Sequence, residues 1–364
     1  HNAPFDTPGL HFAGLLDRAG VRKIVDTLVL AHMAWPDPWV RTGHVVKRLG
    51  MSLEGLSVDQ LSWEDHKGCL ERAFKAAGYS TIQRGYENMD INAYTYRRGA
   101  MSDTIATLLL EPLIRAAAER ITLDHPFSEM GATNIEQARA IIETQERDHR
   151  VMLWRTARGI NVDQNYMVEY QESVDGERSR HELMLAQHGL EGGKGKESAI
   201  IEYIDSIGEL PAGWPRTEKT RKLQATKELL DDLDHPIAAA QRGLALTDQL
   251  LGYIGKVMHQ ARVTGRCHPQ VAVLGASQTG RMSASSPPLQ QFSGPARGIL
   301  IDDNDTGLTS IDWSQIEPVT MSLMAHDWEF LQPFLDGADL YEPIMRAAGV
   351  NRKVSKVTLL QTMY

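Results

Sequence analysis

Asp312-Trp313-Ser314-Gln315-Ile316-Glu317 decides how the chain is read. Ser310 to Trp313 reads as a short strand, and a helical pattern runs from Glu317 onward. A carboxylate at a strand end, with a second one soon after it, can hold a divalent cation at an open edge. Alone the pattern is weak, because acidic residues commonly close strands. Just upstream, Gly298-Ile299-Leu300-Ile301-Asp302 reads as another strand, joined to the first by a turn at Asn304 to Gly307. This strand pair lies between two helical stretches, which predicts a β platform flanked by helical lobes.

Two further patterns flank it. Arg352, Lys356, Leu360 and Tyr364 recur every fourth residue. On a helix that spacing drifts only about 40° per step, so they share one face. Arg supplies a planar fork and Lys a point charge, a pairing suited to a polyphosphate, and an aromatic further along can stack on a base. By itself this is also the pattern of an ordinary solvated helix. Thr279-Gly280-Arg281-Met282-Ser283 leads into Pro287-Pro288-Leu289-Gln290-Gln291. Hydroxyls, Arg and Gln in a loop fixed by Gly and Pro suit contacts to a nucleic-acid backbone.

The composition is that of a folded globular protein, with 364 residues, 42% hydrophobic and 23% charged. That excludes a mainly disordered chain. The net charge of −9 argues against a simple basic DNA-coating protein, but leaves room for a basic cleft in an acidic body. Cys69 and Cys267 fit no zinc or disulfide framework, which predicts a reducing, cytoplasmic setting. The run Ile24 to Trp35 is broken by Asp26 and His32 and is too short for a membrane span, and no signal peptide is read. The chain opens on His1 and closes at Tyr364 inside a helical pattern, so a longer polypeptide is expected at both ends.

The first hundred residues alternate short apolar runs with helical patterns. Ile24 to Leu30 reads equally as a buried strand or a helix start. From Ser102 the pattern is helical, with Ile105, Leu108, Leu109, Leu113 and Ile114 on one face. A boundary is expected at Asp124-His125-Pro126-Phe127. Thr133-Asn134 caps a helix from Ile135 to Arg158 that Gly159 ends. Further helices are expected over Asn165 to Gln187, Arg221 to Leu233 and Ile237 to Arg262. A strand is expected at Val271 to Leu274.

Together, in this order, these motifs resemble one family. From about Ile135 to Tyr364 the chain resembles the polymerase part of family-A DNA polymerases, the bacterial DNA polymerase I type, in a phage-like divergent form. Asp312 to Glu317 resembles its motif A, continued by Ala325-His326 and Phe334-Leu335-Asp336-Gly337-Ala338-Asp339. Arg352 to Tyr364 resembles motif B, and Gly280-Arg281-Met282-Ser283 with Pro288-Leu289-Gln290 the template-primer strand. Arg158-Gly159-Ile160-Asn161-Val162-Asp163 and Arg242-Gly243-Leu244 resemble the two ends of the thumb. His1-Asn2-Ala3-Pro4-Phe5-Asp6 resembles the second motif of the family's 3′–5′ exonuclease, and Asp103, followed by Thr107 and Leu110, resembles the third.

The resemblance implies an α/β (α+β) fold: a partial, RNase H-like exonuclease domain over 1–125, a helical thumb over 132–264, the first part of a β palm over 265–318 and the start of helical fingers over 319–364. It implies a DNA-directed DNA polymerase joining dNTPs to a primer 3′-OH, with primer-template DNA as partner and no membrane. Asp312, with the Trp313 carbonyl, would bind two catalytic Mg²⁺ ions. Gln315, Glu317, Arg352, Lys356, Leu360 and Tyr364 would form the dNTP site, Glu317 lying under the sugar to exclude a 2′-hydroxyl. Thr279, Arg281 and Gln290 would contact primer-template, and Arg216, Lys219, Arg221, Lys222 and Lys227 would grip duplex backbone in the thumb. Asn2, Asp6, Tyr96 and Asp103 would be exonuclease residues.

The sequence departs from the family in several places. Leu360 stands where Phe or Tyr is usual, Pro318-Val319 replaces Leu-Arg, Pro288 replaces Asn, and Gly99 stands where the third exonuclease motif has Tyr, leaving Tyr96 as substitute. The exonuclease's first motif and the polymerase's second metal-binding Asp, in a His-Asp-Glu turn, are not among these residues. The chain is therefore expected to be inactive alone. The alternatives are one subunit of a split polymerase, completed by a second chain, or a non-catalytic DNA-binding remnant. An exonuclease alone is disfavoured by the missing first motif.

Overall fold

The computed structural model describes residues 1–35, 39–42, 45–48, 51–124, 132–275, 280–304 and 306–363. The fold is helix-rich. The chain divides into two compact units, His1–Thr306 and Gly307–Tyr364.

The first unit begins with α1 (Ala3–Phe12), α2 (Arg18–Val21) and α3 (Thr27–Ala34), then an antiparallel ribbon of β1 (Trp39–Thr42) and β2 (Val45–Arg48). Next come α4 (Leu53–Leu61), α5 (Cys69–Ala76), α6 (Ile82–Asn88) and the long α7 (Tyr94–Leu123). The RNase H-like sheet expected here is not found among the described residues of 1–125, where the apolar runs fold as helices. Ile24 to Leu30 shows why. Asp26 caps α3 by accepting from the Leu28 N–H, which commits the following residues to the helix.

In α7 the buried stripe is Ala106, Leu110, Ile114 and Ala118, packed on Leu30, Ala31 and Ala34 of α3, Leu56 of α4 and Ile142. The expected face is corrected: of its residues only Ile114 is buried, and Leu108 is 75% exposed. Small alanines on either side of Leu110 and Ile114 let α3 approach closely, so close packing outweighs side-chain bulk in choosing the face.

α8 (Ile135–Arg158) is bounded as expected: Asn134 accepts from the Gln137 N–H at 2.9 Å, and Gly159 ends it at φ 71°. Gly159 is required twice over. Its φ is left-handed, and a Cβ there would lie 2.7 Å from His268 Cε1 and 2.9 Å from the Cys267 carbonyl. The chain continues into β3 (Ile160–Val162), α9 (Gln164–Gln187), α10 (Glu197–Ser206), α11 (Lys227–Asp232) and α12 (Pro236–Thr264). β4 (Arg266–Cys267), β5 (Gln270–Ala272), β6 (Ser283–Ser285), α13 (Gly294–Arg297) and β7 (Leu300–Ile301) close the unit. β3 is the centre of an antiparallel sheet ordered β4-β3-β7, while β5 pairs with β6.

α9 and α12 pack along each other and carry two separate cores. At one end Met167 and Val174 meet Ile254, Val257 and Ala261, together with Val162, Cys267, Phe292 and Ile299 around the sheet. At the other, Leu185 meets Ile237 and Leu244 with Ile200, Ile201 and Ile204 of α10 and Leu230 of α11. The helices therefore run antiparallel. Each such side chain stabilises by about 1.5–3 kcal/mol when fully buried. The helix expected over Arg221 to Leu233 is shortened to α11. Residues before it form a turn closed by the Arg216–Leu223 bridge and by Thr217 and Lys222. Threonine hydroxyls and the Trp214 Nε1–H bonding the Gln224 carbonyl hold that turn against helix.

The second unit contains α14 (Ile316–Met324), α15 (Trp328–Leu335), α16 (Glu342–Ala348) and α17 (Arg352–Met363). Ser310 to Trp313 is not a strand, which corrects the expectation; Ile311 is 85% and Trp313 75% exposed. The segment has no ladder partner among the described residues, and a strand without one leaves its backbone groups unpaired.

Candidate active site

In the second unit, Asp312 is exposed in the irregular segment before α14, with Trp313 beside it. Gln315 caps α14 in the left-handed conformation, φ 51°. Its side-chain oxygen accepts from the Leu340 N–H at 2.8 Å. Glu317, half-buried, lies in the first turn of α14. On α17, Arg352 donates from Nε to Asp339 Oδ2 at 2.5 Å and stands 5.0 Å over the Tyr341 ring. Lys356, one turn on, is exposed, and Leu360 is half-buried. Buried Ser355 seats the helix, donating to the Asn351 carbonyl.

The turn at Asp339–Tyr341 thus links the two stretches singled out in the sequence. Gln315 reaches it from α14 through Leu340, and Arg352 reaches it from α17 through Asp339 and Tyr341. Burial pushes the Asp339 carboxyl up, but the Tyr341 N–H and Arg352 outweigh it and hold the group below its ordinary value. Burial raises the Tyr341 phenol. The sequence reading quoted Asp339 without a role and missed Tyr341. Their partner lies across a helix, so local spacing gave no signal.

In the first unit, Arg281 is exposed. Gln290 accepts from the Ala284 N–H at 2.9 Å and donates to the Met282 carbonyl at 3.0 Å. Its amide therefore holds the entry to β6. Thr279 and Tyr364 lie outside the described residues. A cluster that the sequence did not signal ties the β4-β3-β7 sheet to the end of α8. Asp303 accepts from Arg266 Nη1 at 2.7 Å and from Arg158, and Arg266 also donates to the carbonyls of Arg158 and Gly159. Hydrogen bonds from Arg266 and then Arg158 lower the Asp303 pKa. Of the basic residues expected to grip duplex, Arg216, Lys219, Arg221 and Lys222 sit exposed on the turn before α11, and Lys227 opens that helix.

The exonuclease-like residues hold other partners. Asn2 caps α1 at φ 59° without a side-chain cap bond. Asp6 lies on α1, its pKa raised by burial, with the Asp26 carboxylate adding to the rise. Asp103 on α7 accepts from His66 Nε2 at 2.8 Å, and His66 stacks on Trp63. Tyr96 meets Phe74 with ring centroids 6.2 Å apart. Among the described residues, no three His, Cys, Asp or Glu side chains form a metal-holding group. No described helix is long and apolar enough to cross a membrane.

Comparison with known proteins supplies the frame for these residues. Residues 205–359 match the model of DNA polymerase family A. The chain is 24% identical over 378 residues to a DNA polymerase of Mycobacterium phage L5, covering 100% of this chain and 58% of the phage protein. It is 23% identical to that of phage D29, covering 90% and 52%. DNA polymerase I of Mycobacterium tuberculosis H37Rv is 26% identical, covering 68% of this chain and 28% of the relative. The chain thus spans little more than half the length of the phage relatives. The fold is similar to the POL domain of Pol1 from M. smegmatis, solved with DNA primer-template and dNTP, at TM-score 0.56 and 18% identity, covering 92% of this chain and 53% of that one. The family match encloses both Asp312–Glu317 and the Arg352–Lys356 face, so over this stretch the chain is similar to DNA polymerase family A.

Proposed function

We propose that the chain is part of a template-directed DNA polymerase that adds dNTPs to a primer 3′-hydroxyl. The observation that carries this is the family match over 205–359, which holds an exposed carboxylate stretch and a helix face bearing Arg352 and Lys356. In this reading 132–264 is the thumb, 265–318 the start of the palm, and 319–364 the start of the fingers. Residues 1–125 are a segment related to the exonuclease; the His66 bond to Asp103 and the raised pKa of Asp6 leave proofreading out of the proposal. Alignment with phage polymerases supports action in a bacterial cytoplasm.

Asp312 and the Trp313 carbonyl are hard oxygen donors open to solvent, which fits a share of a Mg²⁺ site. Such sites take one or two carboxylates and complete their shell with water and phosphate. Bound there, Mg²⁺ would offset phosphate charge and acidify the attacking hydroxyl. The chain's own residues do the rest. Arg352 exchanges Asp339 for a triphosphate oxygen; the pair is partly exposed, at 54% and 31%, so the exchange costs little. Lys356 adds a point charge one turn on. Gln315 positions α14 through Leu340, which sets where Glu317 meets the sugar. Leu360 and Tyr364 extend the same helix face toward the base. Arg281 and Thr279 contact the strand backbone, with Gln290 fixing their loop.

In this reading Asp312 is one of the two metal-binding carboxylates the mechanism needs. In a polymerase completed with the second, Asp312→Ala lowers Mg²⁺-dependent primer extension by at least about a hundredfold. Near-normal extension by that variant removes Asp312 from its role.

A further inference from the structure

We infer that a pocket between α2 and α8, at a place the polymerase reading above does not use, binds a nucleoside phosphate. The pocket is about 430 Å³ and is lined by Arg18, Arg22, Arg147 and Arg150, with Val21 and Trp154. That volume falls in the range of small-molecule sites. Among the described residues, no acidic residue lines it.

The arginines are the reason to expect an anion. Arg150 pairs with Glu143. Arg18, Arg22 and Arg147 have no side-chain ion pair or hydrogen bond among the described residues, whereas Arg115, Arg139, Arg158, Arg178, Arg266 and Arg352 all hold carboxylates. Arg18 and Arg22 stand one turn apart, and so do Arg147 and Arg150. Like charges at that spacing repel. Three unpaired guanidiniums, with a fourth shared with Glu143, converge on one hollow in a chain of net charge −9, and a bound anion relieves their repulsion. Guanidinium forks match phosphate oxygens in pairs.

Trp154 is the reason to expect more than phosphate. It is half-buried and is braced by His11, with ring centroids 5.2 Å apart at 74°. An indole held in place beside arginines is a stacking surface for a base. The shared chemistry is a planar base carrying a phosphate. Its source is either a free nucleotide or the end of a single strand.

The test is calorimetric titration with dAMP, with a 5′-phosphorylated oligodeoxyadenylate, and with inorganic phosphate, on the chain, on Arg22→Ala/Arg147→Ala and on Trp154→Phe. Both arginines are exposed, and a thermal melt confirms that the double variant stays folded. The double variant weakens dAMP or oligonucleotide binding by about tenfold or more. Trp154→Phe weakens dAMP and leaves phosphate unchanged. Tight dAMP binding that competes with the oligonucleotide assigns the free nucleotide; binding of the oligonucleotide alone assigns the strand end. The site is overturned if neither ligand binds, if both bind the double variant as they bind the unaltered chain, or if phosphate binds as tightly as dAMP. Retained binding in Asp312→Ala separates this pocket from the polymerase reading.

Discussion

Asp26 is the polar joint of the first unit, and removing it should be costly. It is 2% exposed and accepts from the backbone N–H groups of Asn2 and Ala3 at 2.8 Å, of Leu28 at 3.0 Å, and from His149 Nε2 at 3.0 Å. One carboxylate thus caps α3, caps α1 from outside that helix, and pins both to α8. Asp26→Ala leaves these several donors buried without an acceptor, which costs about 3–5 kcal/mol. With about 2.1 cal/mol/K of unfolding entropy per residue over His1–Thr306, the melting temperature falls by about 5–8 °C. Asp26→Asn keeps an acceptor for α1 and loses roughly half as much. Burial pushes the Asp26 pKa up, but the His149 bond and charge, with the Leu28 N–H, outweigh it and hold it below 3.8. A depressed folded-state pKa gives stability that is present above 3.8 and lost as the pH falls through the folded value. The gap between wild type and Asp26→Ala should therefore narrow below about pH 4. Differential scanning calorimetry at pH 7 and in acid measures both effects. Equal melting of wild type and Asp26→Ala at pH 7, or a gap that widens in acid, refutes the reasoning.

Two further predictions follow from the region around β4. Gly159→Ala places a Cβ 2.7 Å from His268 in a left-handed backbone, so it should destabilise by about 2–4 kcal/mol in a urea melt; a loss below about 1 kcal/mol contradicts the close approach. Burial pushes the Cys267 thiol up to about 12, with Arg155 opposing. At pH 8 a thiol reagent should therefore titrate partly exposed Cys69 in the native chain, and Cys267 only after unfolding; rapid labelling of both tells against the packing.

The long helices were legible because their ends are written locally. Asn134, Asp163 and Gly159 act on backbone groups within a few residues, and each sits where its chemistry predicts. The α7 face was not, because hydrophobicity points to Leu108 and Leu109, while the choice was made by how closely α3 could approach Ala106 and Ala118. The strand at Ser310 to Trp313 failed for a different reason: a strand exists only with its partner, and a single segment does not disclose one. The same limit applies to the candidate site. Asp312, Arg352 and Lys356 are readable as motif residues, but Arg352 resting on Asp339 and Tyr341 is a contact to a turn on the far side of α16 in sequence. Gln290 shows the converse, a residue readable as a nucleic-acid contact whose amide is occupied by its own loop.

The sheet around β3 has a consequence for how the molecule assembles. Ile160 pairs with Cys267 and Val162 with Leu300, partners about a hundred residues or more downstream, and closing such long loops costs entropy before any contact is gained. A three-residue strand cannot meet that cost from its own hydrogen bonds. The antiparallel run of α9 and α12 shortens the search, since zipping the two helices together returns the end of α12 to the start of α9. The sheet then acts as a latch on a search already completed by the helices. Changes that loosen the α9–α12 contact should accordingly be felt first as slow closure at β3.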